Sequence, residues 1–258
     1  AFKTLGITQS VVRLLRTSVI LVLKNLILVV LKKRLLLVCC FINVVCYADS
    51  IEISLHHVFV KHALELDKQY EDSLGNTITV NKLKYYIGNI TLAYTSGLTH
   101  TDSAYHLIDL DKPESLTIAL NSIPSGTINS IEFGVGVDSM SNAQGLMDGD
   151  LDPMKGMYWA WSSGFINFKL EGHYNTPKSE HELNYHIGGF MAPNETYQQV
   201  KLNMDSLALD KKNALTIAVN LAVLCKQFNV TELPKIMSPS TKAKKIAQVL
   251  PQLFRIKK

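Results

Sequence analysis

Ser50-Ile-Glu-Ile-Ser-Leu-His-His-Val-Phe59 alternates polar and apolar side chains along its length. That is the period of a half-buried β-strand, not of a helix. Similar short runs follow at even spacing. Residues 78–94 hold a strand or two, with Tyr85, Tyr86, Ile87, Ile90 and Leu92 as β-formers. Further strands are read at 105–110, 116–120, 128–137, 157–171, 185–190, 198–204 and 215–223. Turn residues punctuate them: Asp72-Ser-Leu-Gly-Asn-Thr, Thr95-Ser-Gly and Pro124-Ser-Gly. Many short strands with little helical periodicity predict an all-β fold, an antiparallel β-sandwich or barrel. Only 240–254 looks helical, with Ala243, Ile246, Ala247 and Leu250 on one face and Pro251 interrupting.

The chain has 258 residues, 47% of them hydrophobic, so it can bury a core without disulfide or metal staples. With 14 Gly and 8 Pro it is neither disordered nor collagen-like. Seven of the 26 Lys and Arg lie in residues 1–48, which hold no acid, leaving 19 basic against 22 acidic residues beyond them. The body of the chain is therefore slightly acidic, and no nucleic-acid partner is expected.

Residues 1–48 read as a leader. Lys32-Lys33-Arg34 is a charged n-region, and 35–45 is an apolar stretch too short to span a bilayer. Cys46-Tyr47-Ala48 places small residues before Asp49, as a secretory signal peptide does. An upstream start placed too early accounts for the second apolar run at 18–31. The alternative is an uncleaved leader acting as a membrane anchor. The expected organisation is a leader over 1–48, a domain over 49–235 and a helical tail over 236–258. Export to the periplasm or outer cell surface follows. Cys225 is the single thiol beyond the leader, so neither an internal disulfide nor a cysteine metal site is expected there.

No nucleophile elbow, phosphate-binding loop, dinucleotide fingerprint or His-Glu-x-x-His motif is present, and no enzymatic activity is expected. The loop 138–153 carries Asp138, Asp148, Asp150 and Asp152 but lacks the EF-hand order. It reads as a turn-rich loop whose carboxylates cap local amides, not as a calcium site. Of eight histidines, His57 and His186 sit inside strand patterns, and Gly188-Gly189 after His186 leaves room for another group. Each is either a metal ligand or a hydrogen-bonded core residue. Trp159 and Trp161, two apart, would share one face of a strand. They are either core packing or the wall of an oxidisable or soft-metal site.

The run Asp152-Pro-x-x-Gly156-Met-Tyr-Trp159-Ala-Trp161-Ser-Ser-Gly164-Phe-Ile-Asn-Phe-Lys-Leu-Glu171-Gly resembles the signature of the MbnP-like domain family. Other blocks agree in order: His57, Tyr85-Tyr86-Ile87-Gly88-Asn89-Ile90, Tyr105-His-Leu-Ile-Asp109, Phe133-Gly-Val-Gly-Val-Asp138-Ser with Asn142, and Tyr185-His186-Ile-Gly-Gly189. The resemblance covers roughly 50–205. It implies an exported copper-binding β-sandwich, with copper held by histidines and by a kynurenine made from tryptophan. It also implies a di-haem oxidase of the MbnH type as partner. Carried onto this chain, the metal residues are His57, His186 and one of Trp159 or Trp161. Neutral imidazoles with an aromatic amine suit copper, Cu(I) above all. The competing expectation is a metal-free structural or interaction module of the cell envelope.

Overall fold

The computed structural model describes residues 49–145, 148–161, 164–204 and 214–257; the leader expected over 1–48 lies outside them. The strands are β1 (Asp49–Phe59), β2 (His62–Ala63), β3 (Gln69–Glu71), β4 (Thr77–Tyr94), β5 (Thr99–Asp109), β6 (Thr117–Ile123) and β7 (Ile128–Val135). They continue as β8 (Tyr158–Trp159), β9 (Gly164–Asn175), β10 (Glu180–Gly188), β11 (Gln198–Asn203), β12 (Ala214–Asn220), β13 (Lys235–Ile236) and β14 (Phe254–Ile256). Among the described residues, three short helices are α1 (Ser139–Gln144), α2 (Ala222–Gln227) and α3 (Thr241–Ala247).

The strands form two sheets. The smaller has the order β14-β12-β1-β2, with β6 also on β1; the larger runs β11-β7-β4-β9-β10-β13, with β3 and β5 on β4 and β8 on β9. Pairing is mostly antiparallel, and the two parallel pairs are β1 with β12 and β10 with β13. The expected β-sandwich is therefore present, with mixed rather than purely antiparallel sheets.

The region 78–94 is one long strand rather than two. Its inward residues are Ile78 and Val80, then Leu83, Tyr85 and Ile87, then Ile90, Leu92 and Tyr94. The period of two slips at Asn81 and again at Asn89, where the ladder registers shift. A bulge inserts one residue and flips the faces beyond it. The two slips keep the apolar side chains of β4 turned toward the smaller sheet. Asn89 takes a left-handed φ of 53°, a conformation asparagine tolerates better than most residues.

The C-terminal helix carries its apolar face where the sequence pattern puts it. Ala243, Ile246, Ala247 and Leu250 are all 0% exposed. Ser240 caps α3 by accepting from the Ala243 amide at 3.1 Å. Pro251 turns the chain into a 3₁₀ segment, and β14 then pairs with β12. The segment is spent on the sandwich itself: Phe254 meets Phe133 and Tyr85 at ring-centroid distances of 5.2 and 5.9 Å. The helical tail thus docks on the sandwich and contributes to its core, and residues 48–258 form one compact unit. Phe254→Ala should cost about 3–5 kcal/mol of unfolding free energy in urea titration. An arm that did not close the core would lose less than about 1 kcal/mol.

Candidate functional site

His57, on the smaller sheet, and His186, on the larger, lie on opposite sides of the larger sheet. His57 projects from β1 into the space between the sheets and is 5% exposed. Its Nε2 lies 2.9 Å from the Tyr85 hydroxyl on β4, and the rings meet edge-on at 5.8 Å. This hydrogen bond ties one sheet to the other across the core. The His57 Nδ1 is buried without a partner among the described residues. Burial, and secondarily the neighbouring His56, lowers the His57 pKa from 6.5 to about 4. The ring is therefore neutral at physiological pH.

Tyr85 pairs with Phe168, and Phe168 with Ile187, and all three enter the main core. His186 precedes Ile187 on β10 and so projects from the other face, opposite Lys169. There its Nε2 meets Glu171 Oε1 at 2.8 Å. Glu171 also accepts from Lys82 at 2.9 Å and faces Lys169 at 3.2 Å. Burial works against ionisation of Glu171, yet the Lys82 hydrogen bond, the Lys169 charge and the His186 hydrogen bond outweigh it and hold the pKa at about 2. A carboxylate only accepts, so Nε2 carries the proton. Burial keeps the His186 ring below its ordinary pKa, opposed by the Glu171 hydrogen bond. The ring is thus held below its ordinary pKa, and its Nδ1 has no hydrogen bond among the described residues.

The tryptophans do not share a strand as expected. β8 ends at Trp159, which pairs with Gly164, so the chain turns back between them. Trp159 is 8% exposed and Trp161 is 67% exposed. Their rings still lie side by side, with centroids 5.4 Å apart and planes tilted by 41°. The indole of Trp159 covers Gly188: a Cβ there would stand 2.7 Å from the ring. Gly188 is two residues beyond His186 on β10, and the bulge at this point lies on β9, so both share the outer face. The structure thus brings Trp159, Trp161 and His186 to one end of one face and sets His57 apart.

The acidic loop is spent on local structure. Asp138 caps α1 by accepting from the Ser141 amide at 2.8 Å; its other oxygen accepts from Asn89 at 3.1 Å and from the Tyr105 hydroxyl. Asp150 pairs with Lys155 and accepts from the Leu107 amide at 2.9 Å; Asp152 accepts from the Met154 amide at 2.8 Å. Asn142 fixes the start of β9, accepting from the Phe165 amide at 3.0 Å while donating to the Val137 carbonyl at 2.8 Å. Among the described residues, no three His, Cys, Asp or Glu side chains gather into a metal-holding group.

Sequence reading missed the roles of Glu171 and Tyr85. Both stand in the quoted blocks, but their pairing with His186 and His57 depends on sheet register, which spacing does not carry.

A two-sheet β-sandwich with a capped Asp-Ser-x-x-Asn turn against a Trp-bearing hairpin defines the class. The sequence model of the MbnP family matches residues 48–238, and the chain belongs to that family. The solved structure of MbnP from Methylosinus trichosporium shares the fold at 14% identity, with a TM-score of 0.50, covering 69% of this chain and 78% of that one. A search of curated protein sequences returned no match.

Two predictions follow from this geometry. Neutral buried His57 contributes stability that is complete above pH 6.5 and is lost as pH falls toward about 4. The loss is on the order of 3 kcal/mol, and His57→Gln should flatten it in urea titrations across that range. The Glu171 contribution is lost at lower pH, from 4.5 to about 2, so the two windows separate. Gly188→Ala would press a methyl against the Trp159 ring and, at 2.5 Å, against the Phe165 carbonyl oxygen. It should shift tryptophan fluorescence and lower the melting temperature; an unchanged spectrum would contradict the placement of Trp159.

Proposed function

We propose that this chain is an exported, non-enzymatic copper-handling member of the MbnP family, acting at the periplasm or outer cell surface. The observation that carries the reading is His186, held by Glu171 on the face where Trp159 covers Gly188. Metal-binding imidazoles are commonly oriented by a carboxylate on the other ring nitrogen. That arrangement leaves His186 Nδ1 as a neutral donor suited to copper. Of the two histidines, His186 on the outer face is the better placed to meet an ion, since His57 is sealed between the sheets against Tyr85. One imidazole and two indoles make an incomplete donor set. Oxidation of Trp159 or Trp161 to kynurenine would add an aromatic amine, and the exposed Trp161 is open to a docking di-haem oxidase of the MbnH type.

A second reading is favoured by one specific observation: the four residues expected to form a site do not converge. On that reading the chain is a metal-free envelope module, with Trp159 serving as core. Copper titration and intact mass of protein purified from its native envelope decide between them. Copper handling predicts stoichiometric binding that His186→Ala abolishes and His57→Gln retains. Tryptophan oxidation would appear as the exchange of one carbon for one oxygen in the peptide carrying Trp159 and Trp161. Absence of both copper and mass change would establish the module.

A further inference from the structure

We infer that the cavity between the 3₁₀ turn Pro113–Leu116 and the loop after Asp148 binds a small zwitterion of the α-amino-acid class. Lysine ammonium groups, Lys112 above all, would receive its carboxylate, and Glu114 its ammonium group. The inference is independent of the copper reading.

The cavity is built on the end of β5. Lys84 on β4 stands opposite Asp109 on β5, and their side chains meet at 2.8 Å. The two are only 17% and 4% exposed. They line a cavity of about 330 Å³, at the lower end of small-molecule sites, which run from about 300 to 1,000 Å³. Asp150 and Lys155, paired with each other, line it too, as do Lys112 and Glu114. Its walls are fixed by side-chain hydrogen bonds. Ser115 Oγ accepts from the Asp109 amide at 2.9 Å and donates to the Lys112 carbonyl at 2.8 Å, which pins the turn to β5. Asp150 accepts from the Leu107 amide at 2.9 Å and pins the loop to the same strand. The cavity is therefore preformed, and a ligand would not have to order it.

Its hydrogen-bonding capacity is divided unevenly. Asp109 spends one oxygen on Lys84 and the other on the Asp111 amide at 3.3 Å. Asp150 spends one on Lys155 and the other on Leu107. An ammonium group has three donors. Lys84 and Lys155 each give one of theirs to these carboxylates, and Lys112 and Glu114 have no ion partner among the described residues. What remains is a surplus of N–H donors and a single uncommitted carboxylate. Three lysines against three acids also leave the lining without a net preference for an anion or a cation. A bare oxyanion would use the donors but face Glu114 with like charge. An α-amino acid answers both, since one carbon carries its carboxylate and its ammonium group. Leu107 and Ile118 offer apolar contact to a short side chain.

The test is a thermal-shift screen of the common L-amino acids, each at about tenfold steps of concentration up to the millimolar range. At least one should raise the melting temperature of protein purified from the envelope. Its N-acetyl derivative, which lacks the ammonium group, and its amide, which lacks the carboxylate, should not. Lys112→Gln and Glu114→Gln should each weaken binding by about tenfold, the loss of one charge-assisted hydrogen bond. Both side chains are exposed, so the unliganded melting temperature should stay unchanged. If no amino acid binds, the inference is overturned. It is also overturned if the N-acetyl derivative binds as well as the parent, which would mark a site for anions alone. Unweakened binding by both variants would place the ligand elsewhere and overturn it too.

Discussion

Strand β4 must keep one face toward the smaller sheet over eighteen residues while pairing with β3, β5, β7 and β9. A strand of that length twists, and an unbroken alternation would carry its apolar stripe away from the core. The bulges at Asn81 and Asn89 re-phase the stripe. The second bulge is held in place by chemistry: Asn89 donates to Asp138, and Asp138 caps α1. The same α1 presents Asn142 to the start of β9. One strand's phase thus reaches, through three hydrogen-bonded side chains, to the hairpin that carries Trp159. Without the re-phasing, Tyr85 would not meet His57, and Tyr86 would not pack edge-on to Phe165 at 5.9 Å beneath the tryptophans.

Parity then divides the titratable groups by role. Inward positions of β1 and β4 hold His57 and Tyr85, a polar pair sealed in an apolar core. A buried hydrogen bond of this kind contributes modestly when made and costs much more when half of it is removed. Outward positions of β9 and β10 hold Glu171, Lys169 and His186, which meet one another on the outer face. The two histidines share similar burial and a lowered pKa, but they answer to different demands. His57 is enclosed between the sheets it helps to join, whereas His186 is positioned by a carboxylate on the outer face of the larger sheet.

The β-class of the chain was legible because alternation survives in 50–59 and 128–137, and turn residues separate the runs. The helical face at 243, 246, 247 and 250 was legible for the same reason of period. Its destination was not, since an amphipathic face does not name what it covers. The bulges hid the continuity of β4, because a slip in phase looks like a break between two strands. The tryptophan strand was misjudged because the turn-back after Trp159 is marked only by Gly164 and two serines. The histidines looked alike because each stands in an alternating run. Their separation depends on which face each run buries, a property of register and pairing that no local window contains.

The outer face carries a feature that stability alone does not explain. Lys84, Lys169 and His186 stand opposite one another across β4, β9 and β10. Like charges in directly opposed positions destabilise a sheet. The chain offsets this with Asp109 against Lys84 at 2.8 Å and with Glu171 shared among Lys82, Lys169 and His186. Burial also lowers the His186 pKa, against the pull of Glu171. An apolar row would serve packing with less compensation, and local rules are most often broken where a protein needs a particular chemistry. A histidine fixed by a carboxylate among balanced charges, on the face that also carries Trp159, is where packing alone does not account for the residues chosen.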